Sequence, residues 1–196
     1  MLFYALISLL TVPEALSVKS PPSWWVITEQ SLLEISGRSN VNNFCCEYMA
    51  YQGMDTLQEV WSQKKQSWEL HGIIHIPANS FDCHHNILNN DFQKTLLAGK
   101  YPEIAVRVHF IQSKKPDAKM RQINGNVEIT LAGRSRRYNL TCDLKLNNTN
   151  QMILEGAQVI RFSDFSLTPP RKIFGTIKVE DEISVKLYFF LKKYSL

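Results

Sequence analysis

Apolar residues recur at every second position over most of this chain, the period of a strand with one buried face. Ile104, Val106, Val108 and Phe110 alternate against Arg107 and His109. Val127, Ile129 and Leu131 alternate against Asn126, Glu128 and Thr130. Tyr138, Leu140, Cys142, Leu144 and Leu146 alternate against Arg137, Asn139, Thr141, Asp143 and Lys145, and Ile183, Val185, Leu187, Phe189 and Leu191 against Glu182, Ser184, Lys186 and Lys192. Earlier, Trp68 to Ile76 alternates and Pro77 ends it. Ser31 to Arg38 and Val41 to Tyr51 read as two strands around a Gly37 to Asn40 turn, with Phe44, Cys46 and Tyr48 on one face and Cys45 on the other. Trp25 to Ile27 is a short apolar run. Gly53 to Lys65 is polar and mixed, and is expected to be a long hairpin loop.

Between Phe81 and Ile104 the period changes. Phe92, Leu96 and Leu97 fall on one side of a helix, opposite Gln93 and Lys94. Asn89 or Asn90 is a natural N-cap, Ala98 the last helical residue, Gly99 the stop, and Pro102 prevents continuation. About eight strands with one apolar face and short connections predict an all-β fold, a closed antiparallel barrel or a sandwich, with one short helix between strands.

Composition adds a compartment. The 196 residues suffice for one good-sized domain, 44% hydrophobic and 20% charged. Leu2 to Val12 is an apolar run too short for the roughly 20 residues of a membrane span. It suits the core of an export signal, with Ala15-Leu16-Ser17 as small residues at the cleavage position. Residues 1–17 are therefore expected to be a signal peptide, 18–23 a linker carrying Pro21-Pro22, and 24–196 one barrel domain with no membrane insertion of the mature chain. A net charge of +4 is dispersed in short basic pairs, without the dense stripe and stacking aromatics of a nucleic-acid surface.

The chemistry-bearing residues do not assemble into a catalytic pattern. His71 and His75 share a strand face but sit roughly 13 Å apart at strand rise, too far for one ion. His84-His85 lie in the loop. There is no G-x-S-x-G elbow, and Glu180-Asp181-Glu182 reads as a solvated strand entry. No catalytic residue, metal ligand or cofactor is assigned, and a non-enzymatic protein is expected. Cys45, Cys46, Cys83 and Cys142 permit up to two disulfides, which export favours.

The order of motifs resembles the YceI-like family of exported, lipocalin-like antiparallel barrels, some members of which bind polyisoprenoid lipids. Ile35-x-Gly37-x-Ser39-Asn40-Val41-x-x-Phe44-x-Cys46 resembles its opening hairpin. Leu70-x-Gly72-x-Ile74-x-Ile76-Pro77 with Phe81-Asp82-Cys83 resembles its second block. Asn89-x-Asp91-Phe92-x-x-x-Leu96 and Lys100-Tyr101-Pro102-x-Ile104 resemble its helix and the return to the sheet. Asn124-Gly125 to Gly133, Phe162-x-Asp164-Phe165-Ser166-Leu167, and Asp181-Glu182-Ile183-x-Val185-x-Leu187 complete the series. Phe162 and Ser166 depart from the family's usual polar residue and glycine, which bears on the pocket mouth.

The resemblance implies an eight-stranded barrel, a cysteine-bearing bacterial subgroup in which Cys46 and Cys83 are natural partners, and a periplasmic or extracellular location. Cys45 competes with Cys46 for that bridge. It also implies binding and carriage or sequestration of a long-chain isoprenoid or other elongated amphiphile. The candidate lumen wall is Ile74, Ile76, Phe92, Leu96, Val106, Val108, Phe110, Leu140, Leu144, Val185, Leu187 and Phe189. The helix is expected to plug one end, facing Phe92, Leu96 and Leu97 to the lumen or its base, with the entrance elsewhere. The same residues also suit a filled core, giving an envelope interaction module; a homodimer is compatible with either.

Overall fold

The computed structural model describes residues 22–113, 121–149, 151–172 and 176–194. The expected signal peptide lies outside the described residues, as does most of the expected linker; Ser23 is already the first residue of a strand. The strands are β1 (Ser23–Ile27), β2 (Leu32–Ser39), β3 (Asn43–Tyr48), β4 (Thr56–Ser62), β5 (Ser67–Pro77), β6 (Glu103–Ser113), β7 (Arg121–Leu131), β8 (Arg134–Leu146), β9 (Met152–Arg161), β10 (Arg171–Lys172) and β11 (Ile177–Tyr194). One helix, α1 (Asn86–Thr95), lies between β5 and β6, and 3-10 turns occupy Ala78–Ser80 and Phe162–Phe165. Eight strands, in the order β1-β4-β5-β6-β7-β8-β9-β11, close on themselves through the β1–β11 pairing into an antiparallel barrel. That is the barrel, and not the sandwich, of the two architectures the alternation allowed.

Two staves of the barrel are broken, and the breaks shape everything that follows. β1 and β2 pair successively with the same long strand, β1 against Leu191 to Tyr194 and β2 against Val179 to Tyr188. At the step the backbone stays satisfied: the Thr28 N–H donates to the Phe190 carbonyl at 2.9 Å, and the Phe190 N–H donates to Ser31 Oγ at 3.0 Å. Ser31 is fully buried for that reason. Likewise β3 pairs with β2, while β4 pairs with β1 and with Ser67 to Gly72 of β5. β4 corrects the expectation of a loop over Gly53 to Lys65. Leu57 and Glu59 are buried there while Trp61 is exposed, so a carboxylate faces inward and an indole faces solvent, and the segment escapes a hydrophobicity reading.

The second half of β5 has no ladder partner on its β4 side among the described residues. Here Asp55 substitutes for a strand: its carboxylate accepts the His75 N–H at 2.7 Å, lies 3.0 Å from His75 Nδ1, and accepts the Tyr51 hydroxyl. Beyond it, Phe81 to His85 is strapped onto β3. Glu47 and Asp82 exchange two backbone hydrogen bonds of 2.8 Å, and Cys46 is bonded to Cys83. Cys46 therefore prevails over Cys45. The alternation explains why: Cys46 faces inward at 2% exposure, while Cys45 sits on the outer face.

The helix is shifted from its expected position. It starts at Asn86, capped by His85 Nδ1, which accepts the Ile87 N–H at 3.2 Å. Asn89 is not the cap; its side-chain oxygen takes the Cys83 N–H at 2.6 Å and its amide donates to Asp82 at 3.1 Å. The helix ends at Thr95, with Leu97 rather than a glycine in the left-handed region (φ 54) and exposed. Leu97 therefore does not face the lumen.

Candidate ligand-binding cleft

The barrel interior is filled at one end and hollow at the other. At the end under β1 and β4, Trp25, Ile27, Leu57, Leu70, Ile111, Ile123, Met152, Leu154 and Leu191 are buried in the hydrophobic core. At the end under β2 and β3 a wholly apolar cavity of about 70 Å³ remains, lined by residues including Ile35, Ile76, Ile104, Val106, Ile129, Ile183 and Val185. Adjoining it through Phe44, Phe92 and Phe162, which line both, lies a larger cleft of about 460 Å³ between the β2–β3 turn, β3, α1, the Phe162–Phe165 turn and the start of β11. Its walls are Phe44, the Cys46–Cys83 disulfide, Ile87, Leu88, Phe92, Phe162, Pro170, Ile177 and Val179. Ser39, Asn42, Asn43, Asp91 and Thr95 contribute its polar groups.

An aromatic series, Tyr48 to Phe81 at 5.9 Å and Phe81 to Phe92 at 5.2 Å between ring centres, carries the packing from β3 to α1. α1 has no fully buried residue within its own span. It contributes one face to the cleft and leaves Ile87 at 61% and Leu88 at 42% exposure, with Val41 at 55% across the mouth. Three large exposed apolar side chains around one opening are what a binding mouth shows. This apolar opening lies against the helix, not away from it.

Of the twelve residues assigned to the lumen wall from sequence, Ile76, Phe92, Leu96, Val106 and Val185 line the 70 Å³ cavity, and Phe92 lines the cleft as well. Ile74, Val108, Leu140, Leu144 and Phe189 are buried but belong to the packed interior. Leu187 is half-buried against it. Phe110 lies elsewhere: an irregularity between Val108 and Phe110 in the β6–β7 ladder shifts the alternation, burying Ile111 and placing Lys65 Nζ 3.3 Å from the Phe110 ring centre. Phe44 and Phe162 were not assigned from sequence. The period-two set Phe44, Cys46, Tyr48 was the signal for the first, and the departure from the family's polar residue the signal for the second.

Three of the histidines lie beside carboxylates. His75 meets Asp55, His71 Nε2 lies 3.5 Å from Glu69, and His84 Nε2 lies 3.3 Å from Glu47. Glu34, Cys45 and Glu47 bring ligand-type atoms within 4.8 Å on the outer face. There Lys186 Nζ already holds Glu34 at 2.9 Å, and burial together with the two carboxylates raises the Cys45 thiol pKa, which disfavours the thiolate a metal needs. Burial pushes the Cys142 thiol up to about 11. At pH 8 the intact protein is therefore expected to take up maleimide slowly at Cys45 and at Cys142 only after unfolding, as read by intact mass. Equal rates at both thiols would contradict the placement.

The strap also carries a pH dependence. The Asn89 side-chain amide, and then the His84 N–H at 2.9 Å, hold the Asp82 carboxyl below its ordinary range. A depressed folded-state pKa contributes stability above the unfolded value of about 3.9 and loses it as pH falls through the folded value. The wild-type denaturation midpoint is therefore expected to fall more steeply than that of Asp82→Asn below about pH 4. Parallel pH profiles of the two proteins would remove this contribution.

An antiparallel eight-stranded barrel with an apolar cavity at one end and a helix on its flank defines the class: a lipocalin-like, YceI-type fold. No family model matches the sequence, and no curated protein matches it. Among solved structures, BcnA of Burkholderia cenocepacia aligns at 16% identity and TM-score 0.62, over 82% of this chain and 95% of that one. A polyisoprenoid-binding domain from Saccharophagus degradans implicated in plant cell wall breakdown aligns at 10% identity and TM-score 0.61, over 86% and 97%. A mutant YCEI protein of Campylobacter jejuni aligns at 11% identity and TM-score 0.51, over 100% of both chains. At these identities the likeness is one of fold.

Proposed function

We propose that the protein binds one elongated amphiphile, such as an isoprenoid lipid, and carries or sequesters it without chemical change. The observation that carries this reading is the 460 Å³ apolar cleft abutting an apolar cavity at the hollow end of the barrel. Apolar walls with a few polar groups at the mouth suit a hydrocarbon chain with a polar head. Each CH₂ taken from water contributes about 0.8 kcal/mol, so no covalent step is needed for retention. The shared fold with a polyisoprenoid-binding domain supports the ligand class. An exported location accords with the Cys46–Cys83 disulfide, since such bonds persist in oxidising compartments.

The filled end of the barrel favours a second reading, a purely structural interaction module, for that half of the molecule only. Titration of the delipidated protein with a fluorescent apolar probe, followed by displacement with farnesol, tests the carrier reading. Saturable displacement near one equivalent is expected; a probe that never binds would leave the interaction module.

A further inference from the structure

Among the described residues the exposed aromatic side chains are Trp24, Trp61 and Tyr194, and all three lie at the filled end of the barrel. Strand order brings them together. Trp24 of β1 is registered with Tyr194 of β11 on one side and with Gln58 of β4 on the other. Cross-strand partners share a face, and Trp25 is buried, so Trp24 and Tyr194 stand side by side on the outer face. Trp61 lies beyond Gln58 by about 10 Å at strand rise, where β4 turns into β5. It meets its cross-strand partner Trp68 edge-on at 5.6 Å between ring centres. All four tryptophans of the chain therefore fall on one rim. The exposed apolar side chains around the cleft, at the hollow end, are aliphatic: Val41, Ile87 and Leu88.

Charge is divided in the same way. The rim segments 23–26, 60–68 and 191–194 carry Lys64, Lys65, Lys192 and Lys193 and no acidic residue. Lys65 is engaged by Glu69 at 2.9 Å and by the Phe110 ring. Lys64, Lys192 and Lys193 are exposed, Lys193 with its Nζ 5.9 Å from the Trp25 ring centre. The chain also reaches the barrel at this rim. Ser23 opens β1 directly after Pro21-Pro22, and the apolar run Leu2 to Val12 precedes them, so a bilayer that takes up that run is tethered to the rim.

Indole and phenol rings favour the headgroup level of a bilayer, and ammonium groups are drawn to anionic lipid. Peripheral attachment scales with buried apolar area plus that attraction, and the rim offers both. We infer that the filled end of the barrel is a peripheral docking surface for an anionic lipid bilayer. Trp24, Trp61 and Tyr194 enter the headgroup layer, and Lys64, Lys192 and Lys193 lie over its anionic groups. The cleft, at the other end, then faces water. The inference uses the filled end alone and does not depend on what the cleft holds.

The chain from Val18, which keeps every described residue and lacks the apolar run, tests the rim by itself. Its tryptophan emission arises wholly at the rim. Vesicles of phosphatidylglycerol with phosphatidylcholine are expected to shift that emission to the blue and to bind about tenfold tighter, or more, than phosphatidylcholine alone. The preference should shrink as salt rises from about 0.05 to 0.5 M. Brominated lipid in the same vesicles should quench the emission. Lys192→Ser with Lys193→Ser is expected to weaken binding by about tenfold or more, since each lysine near an anionic surface is worth about fivefold. Trp24→Ser with Trp61→Ser is expected to weaken it by a similar factor, with the urea midpoint of each variant near that of the wild type.

Failure of the wild-type chain to sediment with either vesicle overturns the docking surface and leaves the carrier reading standing. Vesicle-bound wild-type protein whose emission is not quenched by brominated lipid also overturns it, whether or not a variant folds. Binding that survives both rim variants, or that is lost instead in Ile87→Ser with Leu88→Ser, places the bilayer elsewhere, in the second case at the cleft mouth.

Discussion

Cys83→Ser is expected to lower the unfolding free energy by about 3–4 kcal/mol, the loop-closure contribution for a bridge spanning 37 residues. Against a total of about 5–15 kcal/mol for a domain, this is the largest single-residue effect anticipated here. The loss is also local. The bridge joins β3 to the segment that leads into α1, and among the described residues that attachment also includes one isolated backbone pair, the Glu47–His84 ion pair and the Tyr48–Phe81 ring contact. Without it, α1 amides should exchange with solvent faster than those of the β7–β8 ladder, whose registered pairs run from Arg121–Leu144 to Leu131–Arg134. Urea titration gives the magnitude, and hydrogen exchange by mass gives the location. A change below about 1 kcal/mol, or uniform loss of protection, would show that the strap is held by packing alone.

Thr95→Trp is expected to weaken ligand binding by about 100-fold with little effect on folding. Thr95 lies on the cleft face of α1, half-buried, and its hydroxyl is spent on the Asp91 carbonyl at 2.7 Å. A half-exposed helical position accepts tryptophan at a cost of a few tenths of a kcal/mol in propensity. The indole then takes space otherwise open to about three or four CH₂ groups of the ligand, worth about 2–3 kcal/mol at 0.8 each. The measurement is the probe-displacement constant for farnesol, paired with the urea midpoint. An unchanged affinity would place the ligand outside the cleft.

The barrel was legible in the sequence because one face of each strand is buried and the other is wet. That asymmetry writes a period of two, and β6, β7, β8 and β11 show it over long runs. The Phe81 to Ile104 stretch was legible as a helix, but its register was not. Asn89 and Gly99 are ordinary capping residues, yet tertiary contacts recruited Asn89 to hold Asp82 and Cys83, and the Leu96–Leu97 pair closed the helix before the glycine. β4 escapes the alternation because Glu59, a carboxylate, takes an inward position, where it accepts the Trp25 indole N–H at 3.2 Å, while Trp61 is exposed.

The cleft could not be read at all from alternation. It is built from residues of five separate segments that only the closed fold brings together. The lumen assignment mixed cavity and packed residues for the same reason, since an inward side chain looks alike whether it meets another side chain or a void. Only the resemblance to a lipid-binding barrel pointed to a hollow interior, and the larger space adjoins that interior against the helix.

Purification without detergent, followed by organic extraction and mass spectrometry of the extract against native mass of the protein, tests the central claim most directly. The expected result is one lipid-like amphiphile per chain, lost in Thr95→Trp, or stoichiometric uptake of added farnesol by an empty preparation. Repeatedly empty protein that takes up no isoprenoid alcohol, from a fold that remains intact by circular dichroism, would contradict it.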